Sequence, residues 1–199
     1  MHLLFLWFYY IFTAIKAIPL LVMVVFSRNK NLIFSDVERW CKVKLNCIYL
    51  TKWQYFKYLL YFIISFLEFR SIIYYRIGFR SNFFKFLLLP MPNLYIQTKE
   101  IGGGLFIQHG FSTIIAAKKI GNNCWINQQV TIGFSNVKDC PVIGNNVTIY
   151  AGAKVMGGII IGDNSIVGCN AVIVKDVPPN CTVVGVPGRI IKRDGKKIE

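Results

Sequence analysis

The chain has 199 residues and two histidines, and the second, His109, lies in "GLFIQHGFSTII" (104–115). An unperturbed imidazole titrates near neutral pH, so it can take a proton from a hydroxyl and return one to a leaving group. The six cysteines (Cys41, Cys47, Cys124, Cys140, Cys169, Cys181) include no C-x-x-C pair. With no histidine cluster, no metal site is expected. The cysteines read as small buried side chains in a reducing compartment.

The histidine interrupts a regular beat. From residue 101, aliphatics recur every six positions: Ile101, Ile107, then Ile114 after a step of seven, then Ile120, Ile126 and Ile132. After five extra residues come Ile143, Ile149, Val155, Ile161, Val167 and Ile173. Glycine often follows the aliphatic, as at Gly102, Gly121, Gly133, Gly144, Gly162 and Gly168. Small residues sit four places after it, at Cys124, Ala153, Ser165 and Ala171. A period of six fits neither a helix nor a simple strand; it is the signature of a three-sided parallel β-helix with one aliphatic per strand pointing to the axis. The glycines are expected to ease corners through positive φ. Such a prism tolerates insertions only at its corners, so the extra residue at His109 and the loop within "GFSNVKDCPV" are expected to be functional.

The first half differs. Residues 1–90 are expected to be helical, apolar and basic, with "LPMPN" (89–93) as the boundary. Residues 1–100 carry thirteen Lys and Arg against four acids, out of a total net charge of +14. A basic, aromatic-rich half suggests an anionic partner surface, lipid before nucleic acid, since no nucleic-acid motif accompanies it. The run at 3–26 is long enough to span a bilayer, while Lys16 and Pro19 also permit a helix lying in the interface or packed inside the protein. "SDVERW" (35–40) reads as a helix start capped by Ser35 with Asp36 and Glu38 in the first turn. Arg70, Arg76 and Arg80 could meet headgroups or acidic neighbours.

"IGNNCWINQQVTIG", "VIGNNVTIYAGAKVMGGIIIGDNSIVGCNAVIVKDVPPN" and "VVGVPGRII" resemble the left-handed β-helix acetyltransferases, above all the serine acetyltransferase group with its capsule and exopolysaccharide O-acetyltransferases. The likeness covers about residues 94–192, with 193–199 left as a basic, frayed tail. It implies a homotrimer with sites between neighbours, acetyl-CoA as co-substrate without a metal, and His109 as the base. It further implies that Gly133, Ala151 and Cys169 offer backbone to the pantetheine arm, and that Arg189 and Lys192 meet the phosphates. A non-enzymatic solenoid scaffold is the alternative of another class.

The chain departs from that group at recognisable places. Where serine acetyltransferases carry an aspartate before the histidine, this chain has Gln108. Where they carry an Arg-His pair before a proline, it has Lys138, Asp139 and Cys140 before Pro141. Glu100 is the nearest carboxylate upstream of His109, because "NLYIQT" has none. An amino acid acceptor needs partners for both its charges; amides such as Gln108, Asn127 and Gln128 suit a sugar. The expectation is therefore a sugar or polysaccharide acceptor, with L-serine as the alternative, at the cytoplasmic face of a membrane.

Overall fold

The computed structural model describes residues 2–136 and 138–198, with side chains at all of these except 2–7 and 9. The part of the 3–26 run that falls on those positions lies outside the described side chains. The chain forms two compact units, Met1–Met91 and Pro92–Glu199.

The first unit is helical: α1 (His2–Val25), α2 (Lys30–Leu45), α3 (Lys52–Ser65) and α4 (Leu67–Ile77), followed by a 3-10 segment at Phe79–Phe84. A capping box starts α3. Thr51 Oγ1 accepts from the Gln54 N–H at 3.3 Å, and Gln54 Oε1 accepts from the Thr51 N–H at 2.8 Å. The core forms around Trp40, whose ring lies 5.1–5.7 Å from Phe62, Phe66 and Phe69. Such offset rings add to the burial of their area. The helix expected to begin at Ser35 starts five residues earlier, at Lys30. Ser35 is thus interior, its hydroxyl donating back to the Asn31 carbonyl (3.1 Å). Asp36 is buried instead against Arg76, at 2.8 and 3.0 Å. Arg70 is spent on carbonyls, donating to Ile63, Ile64 and Leu89. Among the described residues no helix is long and apolar enough to cross a membrane.

The second unit is a three-sided parallel β-helix of about five turns. Its first face stacks the strands Leu94–Ile96, Thr113–Ile115, Thr131–Gly133, Lys154–Met156 and Val172–Ile173. The second stacks Lys119–Ile120, Val142–Ile143 and Ile160–Ile161. The third stacks Phe106–Ile107, Trp125–Ile126, Thr148–Ile149, Ile166–Val167 and Cys181–Val184. On that face Arg189–Arg193 and Lys196–Lys197 then add as antiparallel strands. The basic end is thus a paired hairpin, not a frayed tail.

Eleven of the twelve aliphatics that mark the beat are buried on the axis. The exception is Ile114, which is 39 % exposed, while its neighbour Ile115 is fully buried and pairs with Ile132 of the next coil. In register, then, Ile107 and Ile115 are eight residues apart where Ile126 and Ile132 are six. The insertion at His109 is two residues, and the next corner, Ile115 to Ile120, is one shorter than the beat. The corner turns absorb such changes of length: steps of eight, five and six all end on an aliphatic that faces the axis.

The reason expected for the glycines also changes. Positive φ at the corners falls mostly to asparagines, including Asn123, Asn146, Asn164, Asn170 and Asn180. The glycines after the aliphatics, Gly133 excepted, answer a different need, close approach of coils. A Cβ on Gly121 would stand 2.6 Å from the Gly144 backbone, and one on Gly168 2.7 Å from Val184.

Candidate active-site edge

His109 stands at the edge where the third face turns into the first. Its φ is 61°, a left-handed conformation that costs a residue with a Cβ and marks a shaped site. The bulge is a tight turn in which the Phe111 N–H donates to the His109 carbonyl. The imidazole is exposed, with Nε2 3.4 Å from the Gln108 amide nitrogen.

The edge continues down the prism in register. Gln108, Asn127 and Tyr150 each follow the inward aliphatic of their coil. Their N–H groups donate to Ile126, Ile149 and Val167 at 2.9, 3.0 and 2.9 Å. One place further, the Gly152 N–H donates to Gln128 and the Asn170 N–H to Ala151, which sets Gln128, Ala151 and Cys169 one below another. Asn127 Oδ1 is held by the Trp125 indole N–H, 2.7 Å. Gln128 Oε1 is buried and has no hydrogen-bond partner among the described residues. At the foot of the edge, the 185–188 turn packs on the first face, where Gly188 donates to the Val172 carbonyl at 2.8 Å. Arg189 pairs with Val184 and so sits at this foot; Lys192 pairs with Thr182 at the other end of the strand. Four rungs at about 4.8 Å each separate the His109 coil from the turn, about 19 Å.

The structure thus brings His109, Gln108, Asn127, Gln128, Ala151, Cys169 and Arg189 to one edge. Gly133 is not among them: it ends a strand of the first face at the opposite edge. There Ser135 and Asp139 lie against the next coil: a Cβ on Gly157 would stand 3.1 Å from the Ser135 hydroxyl, and one on Gly158 3.3 Å from Asp139. Asn136 Oδ1 accepts from the Lys138 and Asp139 N–H groups, closing the loop on itself. Glu100 does not approach His109; it pairs with Lys119 at 3.7 Å. Cys169 is exposed rather than buried, because the inward small residue of its coil is Ala171. Sequence reasoning missed Tyr150, although it follows Ile149 as Gln108 follows Ile107.

Residues 140–175 match the family model described as bacterial transferase hexapeptide (six repeats). The chain is 45 % identical over 104 residues to a serine acetyltransferase of Synechococcus elongatus, covering 50 % of this chain and 43 % of that protein. It therefore spans about half the length of the curated relatives it matches. Among solved structures it resembles the serine acetyltransferase of Neisseria gonorrhoeae at 28 % identity and a TM-score of 0.68, covering 86 % of this chain and 68 % of that one. The same protein in complex with serine gives 26 % and 0.64, covering 83 % and 69 %. The Brucella abortus enzyme in complex with coenzyme A gives 25 % and 0.59, covering 82 % and 68 %.

These relatives overturn the expected sugar or polysaccharide acceptor. Serine acetyltransferases match at 45–47 % identity, and a structural relative holds serine. The sugar argument rested on Gln108 and on Lys138, Asp139 and Cys140 replacing expected charge partners, and on the amides Asn127 and Gln128; an acceptor pocket is built from whatever the fold brings to it. The 134–141 loop still carries an ammonium on Lys138 and a carboxylate on Asp139. Helices followed by a left-handed β-helix are the fold of these structures and of this chain. The solenoid half of the chain is thus similar, in sequence and in fold, to the hexapeptide-repeat, left-handed β-helix acyltransferases.

Proposed function

We propose that the protein transfers an acetyl group from acetyl-CoA to the hydroxyl of L-serine, with His109 as the general base. The observation that carries this reading is the two-residue bulge that lifts His109 out of the edge, in a half-chain 45–47 % identical to serine acetyltransferases over 103–104 residues. His109 takes the proton of the serine hydroxyl as the oxygen attacks the thioester carbonyl. It then returns that proton to the departing thiolate sulfur, so the imidazole ends as it began. The N–H of Gly110, in the bulge, has no backbone partner among the described residues, which supports it as a donor to the oxyanion.

Acetyl-CoA fits the same edge. Ala151 and Cys169 keep it narrow and expose backbone, and Arg189 at its foot offers a charge-assisted bond to phosphate; Lys192 stands one strand-length away. The His109 bulge and the 134–141 loop with Gly133 lie at different edges of one prism. A site that uses both needs a neighbouring copy, which supports a homotrimer. The test is acetyl transfer from labelled acetyl-CoA to L-serine, read as O-acetylserine formed. Absence of serine acetylation by the folded protein rejects the reading.

We infer as well that the helical unit rests on a membrane surface. Residues 1–91 carry twelve Lys and Arg against three acids, a net +9. Along α1, Phe8, Ile11, Phe12, Ile15, Ile18, Val22 and Val25 form one exposed apolar stripe, while Thr13, Ala17, Leu20 and Val24 face inward. The Lys16 ammonium lies 4.3 Å over the Phe12 ring at the border of that stripe. An apolar stripe on a strongly basic unit suits the interface of an anionic bilayer.

A further inference from the structure

Where α1 ends, a cavity of about 630 Å³ opens between its last turn, the 27–29 turn and the start of the 3-10 segment. Val22, Met23, Phe26 and Phe79 give it apolar walls, and Arg28 and Arg80 line it as well. Its frame is fixed from within. The buried Asp36 carboxylate holds Arg76, and the Asn29 side-chain amide donates to the Arg76 carbonyl at 2.7 Å. That bond ties the turn carrying Arg28 to the last turn of α4. Gly78, at a φ of 79°, then swings the chain out of the helix, and the buried Ser81 hydroxyl donates to its carbonyl at 2.7 Å. Arg80 is delivered between these two anchored residues.

Among the described residues neither Arg28 nor Arg80 has an ion-pair partner. The unit has three acids, Asp36, Glu38 and Glu68: Arg76 takes Asp36, the Tyr55 hydroxyl donates to Glu38, and among the described residues Glu68 forms no ion pair with either arginine. Arg28 and Arg80 are both exposed and line one cavity, and phosphate oxygens match the donor geometry of a guanidinium. The walls say which phosphate. Phe26 is 82 % exposed and Phe79 77 %, with Phe83 and Phe86 beside them in sequence also in water. A free phosphate gains nothing from such rings, whereas a phospholipid brings acyl chains to cover them.

We propose that this cavity binds the headgroup phosphate of an acidic phospholipid, with Arg28 and Arg80 donating to the phosphate oxygens and the exposed phenylalanines lying among the acyl chains. The proposal rests on the membrane reading above and gives it a site.

The test is co-sedimentation of the full chain with vesicles of phosphatidylcholine alone and of phosphatidylcholine with phosphatidylglycerol in equal parts. The wild type should partition to the mixed vesicles. The variant Arg28→Ala/Arg80→Ala should lose roughly thirtyfold in partitioning, since each basic residue at the surface is worth about 1 kcal/mol. Lys42→Ala/Lys52→Ala removes the same charge from exposed positions elsewhere on the unit and should lose clearly less. Equal loss in the two double variants, or none in the arginine variant, overturns the site while leaving attachment standing. No partitioning of the wild type overturns both. A melting shift with inorganic phosphate that depends on the two arginines, without vesicle binding, overturns the lipid source. Melting temperatures of all variants without ligand show that the loss is not one of folding.

Discussion

Ile115 lies in register with Ile132 of the next coil, although Ile114 is the residue that the six-residue beat nominates. That one-residue difference fixes the bulge at two residues, and it is open to test by deletion. Removing His109 and Gly110 together leaves a six-residue step like those of the other coils. This variant should stay folded, with a melting temperature within a few degrees of the wild type, and should transfer no acetyl group.

Gly121 and Gly133 follow aliphatics of the repeat alike but stand in different surroundings. A Cβ at Gly121 would meet backbone at 2.6 Å, whereas at Gly133 it would meet only the Met156 side chain, at 3.8 Å. Gly121→Ala should therefore destabilise by about 1–3 kcal/mol or more, the usual cost of overpacking. Gly133→Ala should melt with the wild type. If the pantetheine arm passes Gly133, that variant should instead show a raised KM for acetyl-CoA.

Asp36 and Arg76 form a buried ion pair whose side chains are 0 % and 2 % exposed. Asp36→Ala strands the guanidinium in the helical core and should cost about 3–5 kcal/mol. The double change Asp36→Leu/Arg76→Met should cost clearly less, because neither charge is left uncompensated. Denaturant melts of the two variants against the wild type will measure the difference.

Asp163 lies on the edge between the second and third faces, where the backbone and side-chain amides of Asn145 donate to it at 2.7 and 3.2 Å. The backbone bond first, then the side-chain bond, holds its pKa below the ordinary carboxylate value. A depressed folded value means that its contribution to stability is present above the unfolded pKa, about 3.9. That contribution is lost as pH falls through the lower folded value. Asp163→Asn should leave melting at neutral pH little changed and flatten the fall of the melting temperature in acid.

The axis of the solenoid was legible in the residues because each strand spends one aliphatic on it, and eleven of twelve positions were named correctly. The twelfth failed because "TII" offers two isoleucines in a row, and only the register with Ile132 distinguishes them. The glycines were visible while their reason was not: clash with the neighbouring coil depends on stacking that a linear pattern does not carry. Tyr150 escaped for the same reason, since its place beside Gln108 and Asn127 exists only once coils are superposed. In the helical unit, Asp36 suited both a first turn and a buried pair. Only tertiary packing, with Arg76 forty residues away, decides between them.

His109 as the general base is the centre of the account, and the measurement that bears on it most directly is thiol release from acetyl-CoA in the presence of L-serine by the wild type and by His109→Ala. The account predicts steady release by the wild type and a fall of about 10²–10⁴-fold in the variant, with coenzyme A still raising its melting temperature. Wild-type rates in the variant would contradict it, as would a wild type that releases no thiol with L-serine.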